Sequence, residues 1–342
     1  MMPHSPTNPV LSVRALDVTY TLSDGRSMQA VDQASFEIAK GETLALVGES
    51  GCGKSSVARA VMRLVPVSGG AVLLEGEDLA AMSRRQLNTV RRRFQMIFQD
   101  PISSLNPRRR IREILLAPLR VNGLYRREDS EHRMRQALEQ VGLDPDSVLE
   151  RYPHEFSGGQ CQRISIARAL ILDPVLLVCD EPVSALDVSV RAQILNVLNE
   201  LRSRLSLSML FISHDLAVVR NVADRVAVMY LGRICEIGPA DQVLLNSAHP
   251  YTAALLSAVP HADPDAQSER IALAGEMPSH LDLPTGCRFR TRCPSARDVC
   301  ATAQPALDDV GDGRLVACHF PFSISAKAFR PDPPSVLQES SA

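Results

Sequence analysis

Residues 43–56 read Thr43-Leu-Ala-Leu-Val-Gly48-Glu49-Ser50-Gly51-Cys52-Gly53-Lys54-Ser55-Ser56. Thr43 to Val47 is a short apolar run bounded by glycines, which predicts a buried strand. Lys54 to Leu64 carries a helical pattern. Between them lies G-x-x-x-x-G-K-[ST], in the strand-to-helix context that this phosphate-loop motif requires. Gly48, Gly51 and Gly53 let the backbone bend so that its N–H groups converge on phosphate oxygens. The helix N-terminus adds partial positive charge. Lys54 is expected to reach the β- and γ-phosphates from a solvated position that supports no core. Ser55 offers a hydroxyl to Mg²⁺. Lysine is scarce in this chain, at Lys40, Lys54 and Lys327 alone. One of them inside a complete motif is unlike a chance placement.

Working outward, residues 10–40 alternate apolar and polar around a turn at Ser23-Asp24-Gly25, which predicts antiparallel strands. Strand character returns at 70–80. From Arg84 to Glu155 the pattern reads as mostly helical and Arg-rich. Val175 to Cys179 and Ser208 to Ile212 predict further buried strands. Arg225 to Gly238 predicts a hairpin turning at Leu231-Gly232. Strands alternating with helices imply an α/β fold on a parallel sheet. The run Val175 to Cys179 leads into Asp180-Glu181. Two acids at the end of a buried strand are costly without a task. Asp180 is suited to hold Mg²⁺, and Glu181 to act as general base toward the attacking water. Taken alone, the pair also suits a cap or turn.

At 342 residues the chain is long enough for about two domains. Lys+Arg 37 against Asp+Glu 39 gives a formal charge of −2, which disfavours a nucleic-acid partner. No apolar run approaches the ~18 residues of a membrane span. The opening residues lack a secretory pattern, so a reducing cytosolic setting is expected.

Phosphate loop and acid pair together specify a P-loop NTPase. Phe156-Ser157-Gly158-Gly159-Gln160 resembles the signature of ATP-binding cassette (ABC) proteins, with Phe156 in place of the usual leucine. A Ser-Gly-Gly turn opening a helix is itself an anion site. The resemblance implies that it serves the ATP of a second subunit. Gln99 resembles the Q-loop glutamine, which senses Mg²⁺ and the attacking water. Ser184-Ala-Leu-Asp187 resembles the D-loop, and His214 the switch histidine at the γ-phosphate. Tyr20 resembles the aromatic that stacks on adenine, although a strand aromatic needs no such role. The resemblance thus implies the ABC ATPase fold with an antiparallel β-subdomain and a helical subdomain. It implies Glu181, His214 and Gln99 as catalytic residues. Tyr20, Gly48 to Ser56, Ser157 to Gln160 and Asp187 would bind ATP. Ser55, Gln99 and Asp180 would hold Mg²⁺.

Three further stretches resemble the ATP-binding subunits of oligopeptide and dipeptide permeases, of the OppF/DppF type with the OppD/DppD type second. They are Gln95 to Pro107, His249-Pro-Tyr251 with the residues after it, and Gly286 to Pro294. This divides the chain into an ATP-binding domain (9–245) and a small C-terminal extension (246–329), while the composition of residues 330–342 predicts a disordered tail. It implies an ATPase at the cytoplasmic face of the cell membrane, energising import of peptides or related solutes. Its partners would be two permease subunits, a second related ATPase chain and, indirectly, an extracytoplasmic solute-binding protein. A soluble cassette ATPase acting on DNA or ribosomes usually carries long coiled coils or two cassettes, and neither is present. A dead, binding-only subunit is disfavoured by intact Lys54, Asp180, Glu181 and His214.

Cys287, Cys293, Cys300 and Cys318 crowd into the extension. Four thiolates suit zinc or an iron–sulfur cluster, and a disulfide framework is disfavoured in the cytosol. The resemblance implies a [4Fe–4S] cluster with a stabilising role. The runs Arg91-Arg-Arg93 and Arg108-Arg-Arg110 read as a solvated face or as contacts to permease loops or anionic headgroups.

Overall fold

A computed structural model describes residues 9–259, 271–273 and 275–322. The tail expected to be disordered, 330–342, lies outside the described residues.

An antiparallel sheet and a mainly parallel one divide the chain. The first holds β1 (Leu11–Thr21), β2 (Ser27–Ile38), β4 (Gly69–Leu74) and β5 (Glu77–Asp78), in the order β2-β1-β4-β5. β1 and β2 are the alternating stretches joined by the Asp24-Gly25 turn, and they pair antiparallel. The larger sheet runs, neighbour to neighbour, β11 (Asp308–Gly311), β12 (Arg314–Val316), β10 (Arg233–Pro239), β9 (Arg225–Tyr230), β3 (Thr43–Val47), β8 (Ser208–Ser213), β7 (Leu176–Asp180) and β6 (Phe94–Ile97). Its parallel centre is β3 (Thr43–Val47), β6 (Phe94–Ile97), β7 (Leu176–Asp180), β8 (Ser208–Ser213) and β9 (Arg225–Tyr230). Strands covered on both faces tolerate no polar side. Accordingly β3, β7 and β8 are buried at every position.

β6 was not foreseen. It is four residues long and sits among arginines in a stretch read as helical. Pairing with β7 along Phe94–Ile97 outweighs local preference. The helical part follows it, as helices Ile111–Val121, Arg127–Gln140 and Gly158–Leu170, which share one apolar cluster.

The extension does not stand apart. β10 (Arg233–Pro239) returns antiparallel on β9, and β12 (Arg314–Val316) adds to β10, followed by β11 (Asp308–Gly311). Tyr251 and Phe289 pack with Tyr230 and Val228 in one buried cluster that crosses the division at 246. Tyr230, Tyr251 and Phe289 meet pairwise, with centroids 4.7, 5.3 and 5.3 Å apart. Each such pair contributes ~1 kcal/mol beyond its buried area.

Candidate functional site

Parallel strands end side by side, so residues just past their carboxyl ends converge whatever their separation in sequence. The crevice there is the ordinary ligand position of an open α/β sheet. The phosphate loop follows β3, Gln99 follows β6, Glu181 follows β7 and His214 follows β8.

Gly48, Gly51 and Gly53 have φ of 151°, 80° and 113°. A Cβ at Gly48 would overlap the Met229 carbonyl oxygen, and one at Gly53 that of Ala30. The loop therefore lies too close to neighbouring backbone for side chains at Gly48 and Gly53. Gly53 caps the helix Lys54–Val61. Lys54 differs from expectation. It is only 4% exposed, and Nζ donates to the Gly48 and Glu49 carbonyls at 2.7 and 2.9 Å. Its ammonium closes the loop on itself rather than standing in solvent.

Ser55 Oγ donates to Asp180 Oδ1 at 3.0 Å. Burial pushes the Asp180 carboxyl above its ordinary range, and the Ser55 hydroxyl opposes that shift. A hydroxyl and a buried carboxylate side by side form a hard-oxygen donor set that fits Mg²⁺. Tyr20, at the end of β1, donates to Ser56 Oγ at 3.3 Å, so the half-buried ring lies beside the loop's helix.

Gln99 Nε2 and His214 Nδ1 both meet Glu181 Oε2, at 3.1 and 3.2 Å. Glu181 itself has φ 48°, a left-handed backbone that costs a non-glycine residue ~1 kcal/mol or more. Its N–H donates to the Ile212 carbonyl on β8 at 3.0 Å, which holds the turn. Strain at this position, one residue past the strand, is an arrangement typical of functional sites.

Ser157 caps the helix Gly158–Leu170 in a capping box. Its Oγ accepts from Gln160 N at 3.3 Å, and Gln160 Oε1 accepts from Ser157 N at 3.0 Å. A Cβ at Gly159 would overlap Val190 Cγ1. Asp187 occupies the cap of the helix Val188–Leu205 but makes no capping bond. Ser157, Gln160 and Asp187 are exposed, and the adjacent Val188 is 80% exposed. The structure thus gathers Gln99, Glu181, His214, Asp180 and the phosphate loop. It leaves the signature and Asp187 on an open face.

Three contacts to the loop were not foreseen, and all come from the extension. The Glu49 N–H donates to the Tyr251 hydroxyl at 2.9 Å. Arg292 binds the Glu49 carboxylate with both terminal nitrogens, at 2.7 and 3.1 Å. His280 bridges the Gly51 and Gln29 carbonyls at 2.8 and 2.9 Å. These partners lie some 200 residues from the loop, so no local pattern could have announced them.

The four cysteines of the extension are neighbours. Burial, then the other thiols, raises the Cys318 thiol to about 11, and Cys287 and Cys293 are raised in the same way. The expected metal cage is not assembled, however. Among the described residues, no three or more His, Cys, Asp or Glu side chains are grouped so as to hold a metal ion.

Among the described residues no helix is long and apolar enough to cross a membrane. Residues 31–184 match the ABC transporter family, and residues 235–300 match the oligopeptide/dipeptide transporter C-terminal region. A putative peptide import ATP-binding protein of Brucella ovis is 52% identical over 310 residues, spanning 91% of this chain and 97% of that one. The oligopeptide transport ATP-binding protein OppF of Escherichia coli is 49% identical, over 87% of this chain and 92% of its own. Among solved structures, cbiO1 of Clostridium perfringens, part of the transporter complex cbiONQ, superposes with a TM-score of 0.61 at 27% identity. It covers 69% of this chain and 90% of that one. With its fold, its nucleotide loop and its C-terminal region all accounted for, the chain belongs to the ATP-binding proteins of the oligopeptide/dipeptide ABC transporter family.

Proposed function

We propose that this chain hydrolyses ATP to drive a peptide importer, and that Glu181 is its general base. The observation that carries the reading is the meeting of Gln99 and His214 on one oxygen of Glu181, beside the Ser55–Asp180 pair.

The loop N–H groups and Lys54 hold the nucleotide phosphates. Binding requires Lys54 to exchange a carbonyl partner for a phosphate oxygen. Ser55 and Asp180, with Gln99, would hold Mg²⁺, which supplies charge neutralisation on the phosphates. Glu181 accepts a proton from water as its oxygen bonds to the γ-phosphorus. The bond from that phosphorus to the bridging oxygen breaks, and ADP leaves with the electron pair. Gln99 and His214 fix the carboxylate and line the same crevice. Ser157 to Gln160 and Asp187 serve the nucleotide of a second ATPase chain, which accounts for their open face. That chain is a related paralogue, and Tyr20 stacks on adenine.

Two permease subunits dock beside the Q-loop, at the cytoplasmic face of the membrane. A cavity of about 480 Å³ there is lined in part by Met96, Phe98, Arg109, Ile114 and Val121. Phe98, Ile102 and Val121 are 41%, 58% and 86% exposed, an apolar grouping suited to a protein partner. A solute-binding protein would supply the peptide from the other side. The cysteines of the extension would take a [4Fe–4S] cluster once their thiols are drawn together, and anaerobic metal analysis reading about four irons per chain would bear this out. One zinc, or no metal, would reject it.

Glu181→Gln tests the central reading. In the assembled transporter it should retain MgATP and lose hydrolysis by ~100-fold or more. Hydrolysis at the wild-type rate would remove Glu181 from its role.

A further inference from the structure

The phosphate loop contains an anion of its own. Glu49 follows Gly48 directly, in a loop whose task is to attract phosphate. An uncompensated carboxylate there opposes the nucleotide by like-charge repulsion. The compensation comes from Arg292, in the extension. Its two terminal nitrogens take both Glu49 oxygens, and its side chain is 8% exposed. The guanidinium carbon lies 5.9 Å from the Tyr230 ring centre. Paired ends and a largely buried stem leave the fork little freedom.

Two further residues of the extension grip the same short segment. Tyr251 is fully buried, and its hydroxyl accepts the Glu49 N–H. His280 ties the Gly51 carbonyl to the Gln29 carbonyl of β2. Nearby, Arg288 bonds Asp32 and the Leu231 carbonyl, anchoring the segment that carries Arg292. Residues 49–51 are thus held from outside the ATPase core at a backbone N–H, a side chain and a backbone carbonyl. Lys54, the other charge within the loop, is already engaged on the Gly48 and Glu49 carbonyls, and Asp32 is held by Arg233 and Arg288.

We infer that the C-terminal extension sets the nucleotide affinity of the phosphate loop, with Arg292 as a positioning residue that neutralises Glu49 and turns it from the phosphates. The inference rests on reading the loop as the ATP site. In this arrangement, loosening the extension weakens ATP binding without touching a residue that contacts nucleotide.

The test is MgATP affinity of the purified full-length chain, with the KM and kcat of the assembled transporter alongside. Arg292→Met should weaken ATP on the order of tenfold, from one unscreened charge near the phosphates, with the loss in KM rather than kcat. Glu49→Gln in the Arg292→Met background should restore affinity, because the offending charge is gone. Arg292→Lys should restore part of it. Arg292→Gln, which keeps a donor toward Glu49 but not the charge, should weaken ATP by a similar factor and serves if Arg292→Met does not fold. Wild-type affinity in Arg292→Met, or in Arg292→Gln where that variant stands in, would overturn the inference, as would a loss that Glu49→Gln fails to rescue. Lys54→Ala separates the two claims. If it binds ATP normally, the site itself is misread. If it loses ATP while Arg292→Met does not, only the role of the extension falls.

Discussion

His249 makes the seat of the extension sensitive to acid. It is 2% exposed, and its Nδ1 accepts the Tyr251 N–H at 3.0 Å, so that nitrogen carries no proton. Burial holds its pKa down from 6.5 to about 4. The unfolded chain therefore takes up a proton at higher pH than the folded one. Stability is full above about pH 6.5 and is lost as pH falls toward 4. A tenfold difference in proton affinity between the two states corresponds to ~1.4 kcal/mol, so the full loss is about 3 kcal/mol, of which about 2 falls between pH 7 and pH 5. Glu236 accepts from the His249 N–H at 3.0 Å, and burial raises its carboxyl, a trend of opposite sign. Comparing a His249 variant with wild type cancels that contribution. His249→Asn keeps an acceptor at the helix cap and removes the titration. The chain has no tryptophan and five tyrosines, so tyrosine emission can follow urea unfolding, with Tyr230 and Tyr251 as reporters of this region. The difference in stability between pH 7 and pH 5 should be smaller in His249→Asn by about 2 kcal/mol. An unchanged difference would show that His249 is charged in the folded chain or free to reach solvent, and the reasoning would fail.

Lys54→Ala should abolish measurable ATP binding and also lower the melting temperature, since the Gly48 and Glu49 carbonyls lose a buried donor worth ~1–3 kcal/mol. Differential scanning fluorimetry without nucleotide reads the second effect, and an unchanged melting temperature would return Lys54 to the solvated position expected from sequence. Gly159→Ala should displace Val190 and the start of the helix Val188–Leu205. ATPase activity of the assembled transporter should fall at least tenfold while the isolated chain binds ATP normally, as a site shared between subunits requires. Normal activity would mean that the signature turn takes no part.

Much of the candidate site was legible because its residues sit at fixed offsets from strand ends. Gly48 to Ser55, Asp180-Glu181 and His214 each follow an apolar run that reads as a buried strand, and parallel pairing brings those runs together. β6 escaped because four residues amid arginines carry too little pattern, although Gln99 beyond it was still found by its motif. β11 and β12 escaped for a similar reason, since Asp-Asp-Val-Gly and Arg-Leu-Val become strands only through pairing with each other and with β10. The exposure of Lys54 was misjudged because a charged side chain reads as solvated until backbone carbonyls are found to surround it. The contacts of Arg292 and His280 with the loop could not be read. Their partners are backbone and side-chain atoms of the loop, and contacts over such separations leave no periodicity in the chain.

The eight-stranded sheet has an implication for where this protein can be shortened. β10 is buried along most of its length, and its outer side is covered by β12 through Glu236–Val316 and Ile237–Leu315. A polypeptide ended near residue 245 would keep every ATP motif in sequence but bare the hydrogen-bonding margin of an apolar strand. Such margins recruit other chains edge to edge. The extension is therefore also a guard against self-association, and solubility would report its loss before chemistry did.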